Sequence, residues 1–96
     1  MKKYDCIRLL TENVDTIRQK FGVTGMLLFG SVARGDNKAD SDVDILVDMP
    51  PRIFIMTALK DFLEHLLGVS VDLIRRHSHL SSTFLNQVSH DAVKIF

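Results

Sequence analysis

Two short apolar runs carry the feature that most limits what this chain can fold into. Met26-Leu27-Leu28-Phe29 runs straight into Gly30-Ser31, and ten residues later Asp42-Val43-Asp44 opens a second run, Val43 to Val47. A run of four that stops at glycine is too short for a helix and reads as a buried strand. In the second run Val43, Ile45 and Val47 alternate with Asp42, Asp44, Leu46 and Asp48, the two-residue period of a strand. The chain is thereby committed to a sheet with a glycine turn ending one strand and paired carboxylates starting another.

The rest of the chain supplies cover for that sheet. Ile7, Leu10, Val14, Ile17 and Phe21 recur every three or four positions, which predicts one amphipathic helix over residues 4–21, ended by Gly22. Residues 32–35 suit a single helical turn, and Asp36 to Ser41 a polar loop. Pro50-Pro51 stops the second strand and leads into a helix from Ile53 to Leu67, closed by Gly68. Its apolar stripe is wider than one packed face needs, which fits either a core helix or a partner face. Val69 to Arg75 is a third strand, Ser81 or Ser82 can cap a last helix to about Ser89, and Ala92 to Phe96 reads as an edge strand. This order predicts an α+β domain: a small mixed β-sheet with helices packed on one face and the other face partly open.

The 96 residues, 46% of them hydrophobic, make a single domain over residues 1–96. Twelve basic and twelve acidic residues cancel. A chain without a basic field is not expected to bind nucleic acid directly. Zero net charge also gives little protection against self-association, so a homo-oligomer or hetero-oligomer stays open. The single cysteine, Cys6, cannot form an internal disulfide and fits a reducing, cytoplasmic setting, either as a buried apolar side chain or as a reactive thiol. The first residues lack the apolar stretch of a signal peptide, and no run approaches the roughly 20 residues of a membrane span.

The chemistry sits around the two short runs. A glycine at a strand end lets backbone approach a ligand closely, and the amides of a following helical turn favour an anion. The Ser31 hydroxyl adds a donor, although Gly-Ser alone also fits a plain turn. Residues two apart on a strand point the same way, so Asp42 and Asp44 share a face and repel each other unless a cation lies between them. Mg²⁺ takes such oxygen ligands while keeping waters and substrate phosphates. Asp72 lies inside the apolar run Val69-Ser70-Val71-Asp72-Leu73-Ile74. A carboxylate there needs a partner, a hydrogen bond or a metal. If the strands are neighbours, three carboxylates converge; a salt bridge from Asp72 to Arg75 or Arg34 is the alternative. His65, His77, His79 and His90 lack a zinc spacing, and His77-Ser78-His79 reads as exposed loop. Arg75-Arg76 reads as a cap on the sheet, and Lys38 and Asp40 as loop residues near the site.

Gly30-Ser31, ten residues, then Asp42-X-Asp44 resembles the signature of the polymerase-beta-type nucleotidyltransferase superfamily. Gly30-Ser31-Val32-Ala33-Arg34-Gly35 together with Ser41-Asp42-Val43-Asp44-Ile45-Leu46-Val47 is similar to its minimal nucleotidyltransferase (MNT) branch. The likeness extends through Val71-Asp72-Leu73-Ile74 to the closing Asp91-Ala92-Val93-Lys94-Ile95-Phe96. It implies the polymerase-beta-type fold, ATP as substrate and two Mg²⁺ ions. By that resemblance Gly30 and Ser31 hold the β- and γ-phosphates, and Asp42 and Asp44 bind both ions. Asp72 binds the catalytic ion and helps deprotonate an attacking hydroxyl. Arg34 faces the triphosphate or braces the Gly30 turn.

A chain this short leaves no room for a separate acceptor-binding domain, so the acceptor is expected on another polypeptide. The resemblance implies a helical HEPN-type toxin as partner. The chain would then be the antitoxin of a type VII-like toxin–antitoxin system that transfers AMP to a tyrosine of the toxin. Two other expectations stand beside this. One is a binding module that neutralises its toxin by occlusion; the other is a small-molecule nucleotidyltransferase completed by a separate helical subunit.

Overall fold

A strand that alternates apolar and acidic residues turns one side to the main core, and the architecture is built around that side. The computed structural model describes residues 1–96. It contains α1 (Lys3–Glu12), α2 (Val14–Phe21), β1 (Gly25–Phe29), α3 (Gly30–Arg34), β2 (Val43–Asp48), α4 (Ile53–Leu67), β3 (Val71–Arg75), α5 (Ser82–Asp91) and β4 (Val93–Lys94). The strands form one sheet in the order β3-β2-β1-β4. β1 runs antiparallel to β2 and to β4, while β2 and β3 are parallel. Parallel neighbours need a crossover, and α4 supplies it.

The core lies on one side of this mixed sheet. Met26 and Leu28 of β1, Val43, Ile45 and Val47 of β2, and Val71 of β3 meet Cys6, Leu10, Ile17, Phe21, Val32, Leu59, Leu63 and Leu67 from the first four helices in one buried cluster. Cys6 is fully buried there, and burial pushes its thiol pKa up to about 11, so it is packing rather than a nucleophile. Leu46 and Val88 are also buried but belong to no part of that cluster. They lie on the opposite face, where α5 leans on the β1 side and Phe84 meets Phe29 edge-on. The expected helix-covered face is thus formed by α1 to α4, and α5 crosses to the other side because Phe29 and Leu46 there also need cover.

Three local expectations shift. The single helix over residues 4–21 is two helices. The Asn13 side chain donates to the Leu9 carbonyl at 2.8 Å and the Asn13 N–H to Leu10 at 3.1 Å, which closes α1 and restarts the chain as α2. This is a polar side chain competing with the helix ladder. The third strand begins at Val71 rather than Val69. The edge strand over residues 92–96 shrinks to Val93–Lys94, although the Ile95 and Phe96 amides still bond to Met26. The last helix starts as the serines foretell, with Ser81 Oγ accepting from the Phe84 N–H at 3.1 Å. No helix is long and apolar enough to cross a membrane.

Candidate active site

Strand register builds the site. Phe29 of β1 pairs with Asp44 of β2, and Asp44 pairs with Asp72 of β3. Directly opposed residues point to the same face, and adjacent strands lie about 4.8 Å apart. Asp44 and Asp72 therefore stand side by side on the face away from the core. Asp42, two residues before Asp44, lies just ahead of β2 and is exposed.

Gly30 makes room for this row. Its φ of +76° belongs to the left-handed region, where a side chain is strained. A Cβ at this position would also run into the Asp44 carboxylate, with Cγ only 3.0 Å away. So the turn after β1 and the first acidic position of β2 are fitted to each other. Ser31 follows in the first turn of α3, half-buried. Phe29, the residue that caps α3, puts no side-chain acceptor on its first amides.

The electrostatics are those of crowded like charges. Asp44 has its carboxyl pKa raised, first by burial, then by Asp72 and Asp42, with Arg34 pulling the other way. None of the three aspartates takes part in a salt bridge. The expected alternative for Asp72 is thereby removed. Arg75 donates to the Met49 and Arg76 carbonyls, and Arg34 pairs with Asp36 and Asp91, each at 3.1 Å. Nor is Asp72 a costly buried charge as its apolar neighbours imply; β3 is an edge strand and the side chain is exposed.

Expected to converge, the three carboxylates instead form a row. No three His, Cys, Asp or Glu side chains are close enough together to share one metal ion. Like charges hold unpaired carboxylates apart. The chemistry of the donor set nevertheless suits a hard dication: oxygen ligands only, none committed to an arginine or lysine, and crowded like charges that a cation would relieve.

Other expected residues fall outside this row. Arg34 reaches from α3 to Asp91 at the end of α5, a brace between two helices. Arg76 pairs with Asp48 at 3.2 Å and ties the strand ends together, as a sheet cap does. His77 and His79 are exposed, with ring centroids 6.1 Å apart. Lys38 and Asp40 are exposed, and the loop closes through a Lys38–Ser41 exchange of hydrogen bonds at 2.8 and 3.1 Å. Sequence reasoning missed Asp91 as the partner of Arg34, and it missed a groove of about 600 Å³ beside Gly30, bounded by Phe29 and α5. The spacing of Thr83, Asn86, Gln87 and His90 on one helical stripe was the available signal.

The nucleotidyltransferase domain family matches residues 10–95. The chain belongs to that family. It is 41% identical over 85 residues to protein adenylyltransferase MntA of Thermococcus cleftensis, covering 83% of this chain and 86% of that one. Its fold superposes on a solved structure described as a minimal nucleotidyltransferase with a TM-score of 0.78 at 34% identity, covering 97% of this chain and 95% of that one. It also superposes, at TM-score 0.66 and 20% identity, on a chain of a complex between a tri-AMPylated Shewanella oneidensis HEPN toxin and its MNT antitoxin, covering 94% of this chain and 71% of that one. This last likeness is one of fold. The chain is a nucleotidyltransferase of the minimal type.

Proposed function

We propose that this nucleotidyltransferase moves AMP from ATP onto a hydroxyl, a tyrosine in our reading, of a HEPN-type toxin and so serves as the antitoxin of a type VII-like pair. The observation that carries this is the row Phe29-Asp44-Asp72 on the sheet face away from the core, beside a glycine turn that only Gly30 fits. The kinship with an adenylyltransferase supports AMP as the transferred group, and the fold likeness to a chain of a complex between an AMPylated toxin and its antitoxin supports a toxin as the acceptor.

Asp42, Asp44 and Asp72 would hold two Mg²⁺ ions, which when bound neutralise phosphate charge and lower the cost of bringing three carboxylates together. Gly30 and Ser31 receive the β- and γ-phosphates. Asp72, exposed on the edge strand, accepts the proton of the acceptor hydroxyl. The hydroxyl oxygen bonds to the α-phosphorus, the α–β bridge breaks, and pyrophosphate leaves. No covalent enzyme intermediate forms; the chain contributes position and electrostatics.

A second reading, neutralisation by occlusion alone, draws on Ile53 and Phe54, which are 74% and 87% exposed at the start of α4. One experiment separates the two. The chain is mixed with its genomic neighbour, labelled ATP and Mg²⁺. Label on the neighbour that disappears in Asp42→Ala and Asp44→Ala supports transfer. Neutralisation that persists in both variants without label would leave occlusion standing.

A further inference from the structure

The groove onto which Gly30 and Arg34 open plays no part in the roles above. Its volume, about 600 Å³, is that of a small-molecule site. One stripe of α5 lines it: Thr83, Asn86, Gln87 and His90 fall at i, i+3, i+4 and i+7, and all four are exposed. Phe29 and Phe84 form its apolar wall, edge to face with centroids 6.0 Å apart and planes at 89°, each half-buried. At the rim Arg34 is already paired with Asp91.

Beyond Gly30, this lining offers a phosphate no unpaired arginine or lysine. It is right for a neutral heteroaromatic ring. Phenylalanine faces stack on bases without regard to charge, and amide side chains offer donor and acceptor together to a base edge. The placement agrees. Phe29 is in register with Asp44, so the groove begins where the row of carboxylates ends, with Gly30 at the junction. At the other end of the row no groove borders Asp72.

We infer that the groove between β1 and α5 is the nucleoside subsite of the donor nucleotide, with Phe84 stacking on the base and Asn86 and Gln87 meeting its edge; this rests on the nucleotidyl-transfer reading above. A nucleotide with its phosphates at Gly30 and Ser31 then lies along the sheet, base under α5 and α-phosphate toward Asp44.

Adenosine is the first probe, because it carries no phosphate and needs no metal. Titrated into ¹⁵N-labelled chain, it shifts the resonances of Thr83, Asn86 and Gln87 and leaves those of α4 unmoved. Calorimetry then compares ATP with tripolyphosphate, both with Mg²⁺. Phe84→Ala weakens ATP about 5- to 100-fold, as loss of one stacked base does, and leaves tripolyphosphate unchanged. Phe84→Leu, which keeps the apolar volume and so the fold, weakens ATP in the same selective way. Asn86→Ala with Gln87→Ala moves the ratio of ATP to GTP affinity. Adenosine shifts elsewhere, or equal losses for ATP and tripolyphosphate in Phe84→Leu, overturn the subsite even if label transfer to a partner is intact. Failure of the unaltered chain to bind Mg²⁺-tripolyphosphate overturns the phosphate site and the donor subsite together.

Discussion

The two sides of β2 do opposite work. Val43, Ile45 and Val47 are 0–1% exposed and meet Leu59 and Leu63 of α4, both fully buried. One residue away on the strand, Asp44 faces the other side, beside Asp72, with its own charge disfavoured. One face lowers the free energy of the fold by removing carbon from water. The other holds like charges together at some cost to the fold. Because strand residues alternate, both properties fit into six residues without either disturbing the other. Function in this chain is thus a local departure from what stability alone would select.

That division can be tested from its stable side first. Leu63→Ala empties a fully buried position and is expected to cost about 2–5 kcal/mol in urea unfolding. Nucleotidyl transfer per folded molecule should stay as it was. A fall in specific activity alongside stability would mean that the two faces are coupled through the sheet.

Two glycines sharpen the same contrast at smaller cost. Gly22 and Gly30 both have left-handed φ, +69° and +76°. Alanine at Gly22 meets nothing within 4 Å, so it bears only the left-handed penalty, about 1–2 kcal/mol. Alanine at Gly30 bears that penalty and also collides with the Asp44 carboxylate. It is expected to destabilise by about 1 kcal/mol more than Gly22→Ala and to cut transfer at least about tenfold by displacing Asp44. Equal losses of stability with transfer preserved would show that Asp44 can move aside without consequence.

Much of this was legible because periodicity reports burial. Alternation in Val43 to Val47 foretold which side of β2 faces the core, and the Gly30 turn marked the end of β1. The i, i+2 spacing placed Asp42 and Asp44 together. What stayed hidden depends on partners far away in the chain. Arg34 could not be matched to Asp91, 57 residues on, until α5 was placed. The side of the sheet that α5 takes follows from Phe29 and Val88 burying each in its own way, which no local pattern states. Asn13 broke a helix whose apolar rhythm continues through it, since the rhythm records the buried stripe and not the hydrogen bonds of the backbone. The apolar neighbours of Asp72 implied burial, but its side chain stands on an edge strand, on the face away from the core, and is open to water.

The smallest effect bears most directly on the comparison of the two faces. Asp44 has a raised carboxyl pKa, so it holds its proton more tightly when folded than when unfolded. Below the ordinary aspartate value, about 3.9, both states are protonated and nothing is lost. As pH rises through that value toward the raised one, the unfolded chain releases its proton first and the fold loses stability. Above the raised value the loss is complete and constant. At neutral pH, therefore, the Asp44 charge works against folding, and Asp44→Asn is expected to be the more stable protein by under about 1 kcal/mol, given solvent screening of a partly open group. The advantage should shrink sharply by pH 3.5, where most of the unfolded chain also holds its proton. Paired urea titrations of the two proteins at pH 3.5 and 7 isolate it from every other carboxylate, which both share. Excess Mg²⁺ at pH 7 should then reverse the order, since a cation that binds only the folded state stabilises the chain that keeps the ligand. An Asp44→Asn protein less stable than its parent at pH 7 without Mg²⁺ would mean that the carboxylate supports the Gly30 turn more than it strains the sheet, and the two faces would no longer be opposites.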